Sequence, residues 1–188
     1  MEPWTMSRST LSRRLTTRIT GTFIALALSG LASAATPDLV RPGVLAADKS
    51  LPAAQLKLAQ TAALRYDTFW HTGDEALARA ALADNFVDHT LPAGRQQGPE
   101  GPLQASRTFR AAVPDLTCEV VQMIVAGDRV SAQLRFRGHF TGTFGERKGS
   151  GQVVDFIAFD IYQIENGKIA ADWHLEDNLT LMKQLGAL

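Results

Sequence analysis

The chain has 188 residues, 45% hydrophobic and 20% charged, with 19 basic residues balancing 19 acidic ones and a single cysteine. These values describe one globular domain with some additional length, and they exclude a disordered, collagenous or coiled-coil protein. Zero net charge argues against a nucleic-acid binder, which needs a basic surface to displace counterions, and one cysteine excludes an intramolecular disulfide and a multi-cysteine zinc site.

The first segment reads as an export signal. Met6 to Arg18 is polar and basic, Ile19 to Leu31 is apolar or small, and Ala32-Ser33-Ala34 has the small-x-small pattern of a signal-peptidase site. The apolar run is shorter than the roughly 20 residues that a membrane span needs. Cleavage after about Ala34 is therefore expected, giving an exported, periplasmic or secreted protein with no stable membrane anchor. That cut removes Arg8, Arg13, Arg14 and Arg18 together with Glu2, and leaves a net charge of −3. Residues 35–52 contain Pro37, Pro42 and Gly43 without periodicity, so they are expected to form a flexible lead-in, with 53–188 as the folded domain.

Ser50 is expected to cap a helix that has Pro52 in its first turn and runs to about His71. Leu56, Ala59, Ala63, Tyr66 and Trp70 fall along one stripe of it. Gly73 stops this helix, and Asp74 caps a second over Glu75 to Ala83. Phe86-Val87-Asp88-His89 reads as a brief extended piece. Pro99 and Pro102 open a third helix, which Val113-Pro114 closes.

The period then changes. Thr117 to Ala126 and Arg129 to Phe140 are β-rich and joined by Gly127-Asp128, and the second alternates Val130, Ala132, Leu134 and Phe136 with polar residues. Gly142 to Gly151 reads as a polar loop, Val153 to Glu165 as a long strand, Lys168 to Glu176 as its partner, and Asn178 to Leu185 as a last helix. Helices followed by an antiparallel meander and a terminal helix make an α+β fold. A curved antiparallel sheet wrapped around the N-terminal helices would form a cone whose interior can be a pocket.

The turn at Asn166-Gly167 decides which side chains meet. A two-residue turn pairs Glu165 with Lys168, whereas a three-residue turn with a glycine bulge pairs Ile164 with Lys168. The first register mixes charged and aliphatic residues on both faces. The second gathers Ile157, Phe159 and Ile161 with Ala171, Trp173 and Leu175 on one face, and Phe156, Ala158, Asp160, Tyr162, Asp172, His174 and Glu176 on the other. Charges among aliphatic residues are costly to bury, so the bulged turn is expected, with Asp160 opposite Asp172 and His174 one step further along. A carboxylate beside a histidine is apparatus for moving a proton near neutral pH.

Several segments together resemble the SnoaL-like polyketide cyclases, also called the ester cyclase family, of the nuclear transport factor 2-like superfamily. They are Phe86-Val87-Asp88-His89, Phe109 with Val113-Pro114-Asp115-Leu116, Ala126-Gly127-Asp128-Arg129-Val130 and Gly138-His139-Phe140-Thr141-Gly142. Gly167-Lys168-Ile169 followed by Trp173 and Asp177, and a closing Gln184-Leu185-Gly186, complete the pattern. The resemblance implies a cone of curved sheet and helices, often dimeric, so a homodimer is among the partners expected. It also implies ring closure by intramolecular aldol condensation, without metal or organic cofactor. The family places an acid/base aspartate on the last strand and an assisting histidine on the strand before it. Aligned on Gly167-Lys168-Ile169, those positions fall on His174 and Asp160, with the two residue types exchanged.

The expected chemistry is acid/base catalysis on a small, largely apolar, carbonyl-containing molecule. His174 and Asp160 are the catalytic pair, with His174 as base and Asp160 orienting it. His89 or Tyr162 is expected to hydrogen-bond the developing enolate, and Phe156, Trp70 and Tyr66 to contact the substrate. No metal site and no cofactor are expected. The alternative is a non-catalytic periplasmic pocket that binds a small hydrophobic ligand.

Overall fold

The computed structural model describes residues 38–188, so the expected signal over 1–34 lies outside the described residues. Helix α1 (Ala53–Thr72) buries Ala59, Ala63, Tyr66 and Phe69, and Gly73, in the left-handed region at φ 79°, ends it. Pro52 occupies its N-terminal boundary without a side-chain cap; Ser50, expected there, instead bonds Asp48 at 2.8 Å. Helix α2 (Glu75–Ala81) is capped by Asp74, whose carboxylate accepts from the Ala76 N–H at 3.0 Å. It stops two residues earlier than expected because Leu82 is already extended and opens strand β2 (Leu82–Asp88). Helix α3 (Glu100–Ala112) ends at Val113, the residue that Pro114 bars from helical geometry.

Strands β3 (Thr117–Ala126), β4 (Arg129–Phe140), β7 (Gln152–Glu165) and β8 (Lys168–Glu176) form the antiparallel centre of the sheet. A short hairpin of β5 (Thr143–Phe144) and β6 (Arg147–Lys148) occupies the stretch read as a polar loop. Helix α4 (Asn178–Gln184) closes the chain, capped by Asp177. Helix α1 packs against β3, β4, β7 and β8, so the sheet curves around it and the core lies between them.

Two features differ from the expected meander. Val44–Ala47, within the segment read as a lead-in, is strand β1, and it pairs with β3 in parallel. Its burial is low throughout, so it has no alternation to betray it; besides the β1–β3 pairing itself, the flanking Gly43 and Asp48 N–H groups donate to the Val120 and Val125 carbonyls, each at 2.9 Å. Strand β2 likewise pairs with β8 in parallel, giving a six-stranded mixed sheet in the order β1-β3-β4-β7-β8-β2. Neither edge strand follows its neighbour through a hairpin, so nothing forces an antiparallel pairing.

The hairpin between β7 and β8 corrects the expected register. Asn166 at φ 50° and Gly167 at φ 75° are both left-handed, the signature of a two-residue type I′ turn, and Glu165 pairs with Lys168. The irregularity lies inside β8 instead. Ile164 pairs with Ile169 and Gln163 with Ala171, so Ala170 is the extra residue. One slip anywhere before Asp172 exchanges the faces, so the segregation survives although its cause has moved. Asp160 therefore opposes His174, and Tyr162 opposes Asp172. On the convex face Ile157, Phe159, Ile161 and Leu175 remain exposed.

Candidate active site

The concave face of β7 and β8 points toward a cavity of about 510 Å³, a volume suited to a small organic molecule. Its walls are aromatic. Tyr66 and Trp70 come from α1, Phe109 from α3, Phe136 from β4 and Phe156 from β7. Phe136 and Phe156 stack at 5.1 Å, and Trp70 meets Phe136 edge-on at 6.1 Å. One end is polar, formed by Asp88, Arg95, Asp160, His174 and Glu176.

His174 is held from both sides. Its Nδ1 lies 2.8 Å from Glu176 Oε1, and its Nε2 lies 3.1 Å from Asp88 Oδ2. Two carboxylates require two N–H donors, which only the imidazolium possesses. Burial works against that charge, but Glu176 and Asp88 outweigh it and raise the pKa to about 9. A ring charged at neutral pH, with both nitrogens committed, has no lone pair for a substrate proton. The expected role of His174 as base does not fit this geometry.

Asp160 has a different environment. It is buried, and its Oδ2 accepts the Tyr162 O–H at 2.8 Å. Burial lifts its pKa, while the Tyr162 bond and the His174 charge restrain it, leaving it at about 6. Among the described residues no hydrogen bond joins Asp160 to His174, although they are cross-strand partners. The imidazolium acts on Asp160 through its field.

Asp88 is itself clamped. Its backbone N–H donates to Gln97 Oε1 at 2.8 Å, Gln97 Nε2 donates to its carbonyl at 2.9 Å, and the Thr90 N–H donates to its Oδ1 at 2.9 Å. The Thr90 hydroxyl accepts the His174 N–H at 2.8 Å, tying the end of β2 to β8.

Of the residues expected to contact substrate, Phe156, Trp70 and Tyr66 line the cavity. Tyr162 does not; it is fully buried behind Asp160, its hydroxyl 2.8 Å from both Asp67 Oδ1 and Asp160 Oδ2. His89 lies on the other side of the sheet, stacked on Trp173 at 4.4 Å with an interplanar angle of 3°. Successive residues of an extended strand face opposite ways, so the neighbour of His89, Asp88, reaches the cavity in its place. Asp67, Asp88, Arg95 and Glu176 are site residues that the sequence reading did not single out. Among the described residues no group of three or more ligating side chains is placed to hold a metal ion.

Residues 60–185 match the model of the SnoaL-like polyketide cyclase family. The chain belongs to that family. The matched span contains all five residues of the polar end. A crystal structure of a protein from Bacillus cereus ATCC 10987, assigned as a polyketide cyclase, is 42% identical and superposes with a TM-score of 0.71 over 81% of this chain and 97% of that one. TsrD from Streptomyces laurentii is 27% identical, with a TM-score of 0.62 over 74% of this chain and 100% of its own. IdmH from Streptomyces antibioticus, 24% identical with a TM-score of 0.62 over 68% and 98%, shows the shared fold. No curated protein matches the chain. This SnoaL-like chain has the α+β cone of its relatives, with a short C-terminal helix and a sheet that is mixed at both edges.

Proposed function

We propose that this SnoaL-like protein performs cofactor-independent acid/base chemistry on a small, largely apolar carbonyl compound, of the kind that closes a ring by aldol addition. The observation that carries the reading is Asp160, a buried carboxyl lining an aromatic-walled cavity with its pKa raised to about 6. In this reading Asp160 takes the proton alpha to a carbonyl. The enolate carbon then bonds to a second carbonyl carbon, and the resulting alkoxide recovers the proton from Asp160. The His174 imidazolium keeps Asp160 ionised between turnovers, and Arg95, the other cation at the cavity, receives the developing enolate oxygen. Neither Tyr162 nor His89 lines the cavity, so neither takes that role.

A non-catalytic hydrophobic binder is the rival. Aromatic walls alone would serve it, but such a pocket gains nothing from five ionisable groups crowded at one end, where burying charge is costly. The test is deuterium incorporation, in heavy water, at the alpha carbon of a panel of β-keto esters. Catalysed exchange that Asp160→Asn abolishes supports the enzyme, whereas tight binding without exchange supports the binder. The segment over 1–34 supports export, and the N-terminal residue of periplasmic protein, expected to be Ala35, checks it. The exposed Ile157, Phe159, Ile161 and Leu175 support a homodimer formed through the convex face.

A further inference from the structure

The Tyr162 hydroxyl carries one proton and sits 2.8 Å from two carboxyl oxygens, Asp67 Oδ1 and Asp160 Oδ2. It can donate to one of them only, so at the other contact the carboxyl must be the donor and must hold a proton of its own. The surroundings decide which. Asp160 lines the cavity and has the His174 imidazolium on the facing strand. Asp67, on α1, is fully buried, and among the described residues it forms no ion pair and its second oxygen, Oδ2, has no hydrogen-bond partner. An ionised carboxylate with an unpartnered oxygen and no cation in the core would be far more costly than an acid with one.

We infer that Asp67, which touches no substrate, is held as a neutral carboxylic acid that donates its proton to the Tyr162 oxygen and so directs the single Tyr162 proton onto Asp160, making Asp67 a positioning residue for the base. Burial accordingly drives the Asp67 carboxyl well above the usual range, against the Tyr162 bond and with help from Asp160. A hydrogen bond received by the Tyr162 oxygen polarises its O–H and strengthens what it donates, so the ionised form of Asp160 is favoured. The other ionisable groups facing this chain are Tyr66 on α1, Cys118 on β3, Asp172, His174 and Glu176 on β8, and Asp88 on β2. From β4 the residue opposite Asp160 is Ala132. None of these replaces Asp67 as donor to Tyr162 among the described bonds.

The inference rests on the reading of Asp160 as proton acceptor for its catalytic meaning, but its test needs no turnover. The full chain labelled with 13C at aspartate carboxyls is titrated by NMR, as wild type and as Asp67→Asn and Asp67→Leu. In the wild type the Asp67 carboxyl carbon is expected to stay at the position of a protonated acid throughout the range in which Asp160 titrates. The Asp160 midpoint is expected near 6 in the wild type, unchanged in Asp67→Asn, which keeps an N–H donor, and higher in Asp67→Leu. An ionised Asp67 predicts the opposite sign, because deleting a neighbouring negative charge lowers the Asp160 midpoint. A lower or unchanged midpoint in Asp67→Leu, or an Asp67 carbon in the ionised position at neutral pH, overturns the inference. Should Asp67→Leu fail to fold, the titration of Asp67 in the wild type decides alone. Loss of substrate exchange in Asp160→Asn tests the proposed reaction separately.

Discussion

Asp160 and His174 face each other across the β7–β8 hairpin, yet each is held by something else, Asp160 by the Tyr162 hydroxyl at 2.8 Å and His174 by Glu176 at 2.8 Å. This divides the labour between them. The ring, pinned by two carboxylates, is a fixed cation, and the carboxyl, whose second oxygen takes no part in the Tyr162 bond, is the group able to exchange a proton.

Replacing Asp160 by asparagine keeps the shape and a hydrogen-bond acceptor for Tyr162 but removes the basic oxygen. Activity is expected to fall by roughly 10²- to 10⁴-fold, the range for loss of a general base. Unchanged far- and near-ultraviolet circular dichroism would show that the fold is intact.

The rate should depend on pH as a bell. Asp160 must be ionised, so kcat/KM rises through about pH 6, and His174 must be charged, so it falls through about pH 9. Asp88→Asn or Glu176→Gln takes one carboxylate from the ring and moves the alkaline limb to lower pH. Initial rates across the range check both limbs.

Stability should decline on the alkaline side. The folded pKa of His174, about 9, exceeds its ordinary 6.5, so its contribution is full below about pH 6.5 and disappears as pH rises through 9. Allowing for solvent screening, that contribution is on the order of 2 kcal/mol. Urea midpoints measured on either side of this window should separate further for the wild type than for His174→Gln.

Much of this arrangement is written locally. Asn166-Gly167 announces its turn, and the alternation of β7 and β8 sorts charged from aliphatic residues, so the two faces are legible before the register is known. The position of the slip was not legible, because Ala170 is small enough for either face and carries no mark of a bulge. Strand β1 was hidden for a related reason: four residues at an exposed edge need no pattern. His89 is a polar residue of the right type in the right segment, but the alternation that buries Phe86 and exposes Val87 sends Asp88 to the cavity side instead. Asp67 did leave a signal, a carboxylate in line with Ala63 and Trp70 on the apolar stripe of α1. Its partner Tyr162, however, lies 95 residues away.

The convex face makes a prediction about assembly. Phe159 and Leu175 are cross-strand partners and both exposed, so Phe159→Glu places a charge at the centre of the proposed homodimer contact. Light scattering after size exclusion is expected to show a dimer for the wild type and a monomer for the variant. A wild-type monomer at the same concentration would remove the proposal without touching the cavity.

The most direct measurement is the protonation of the His174 ring by 15N NMR at neutral pH. Both nitrogens are expected to carry protons, with a midpoint near 9. A ring with one bare nitrogen at pH 7 would return the base to His174 and contradict the assignment of proton transfer to Asp160.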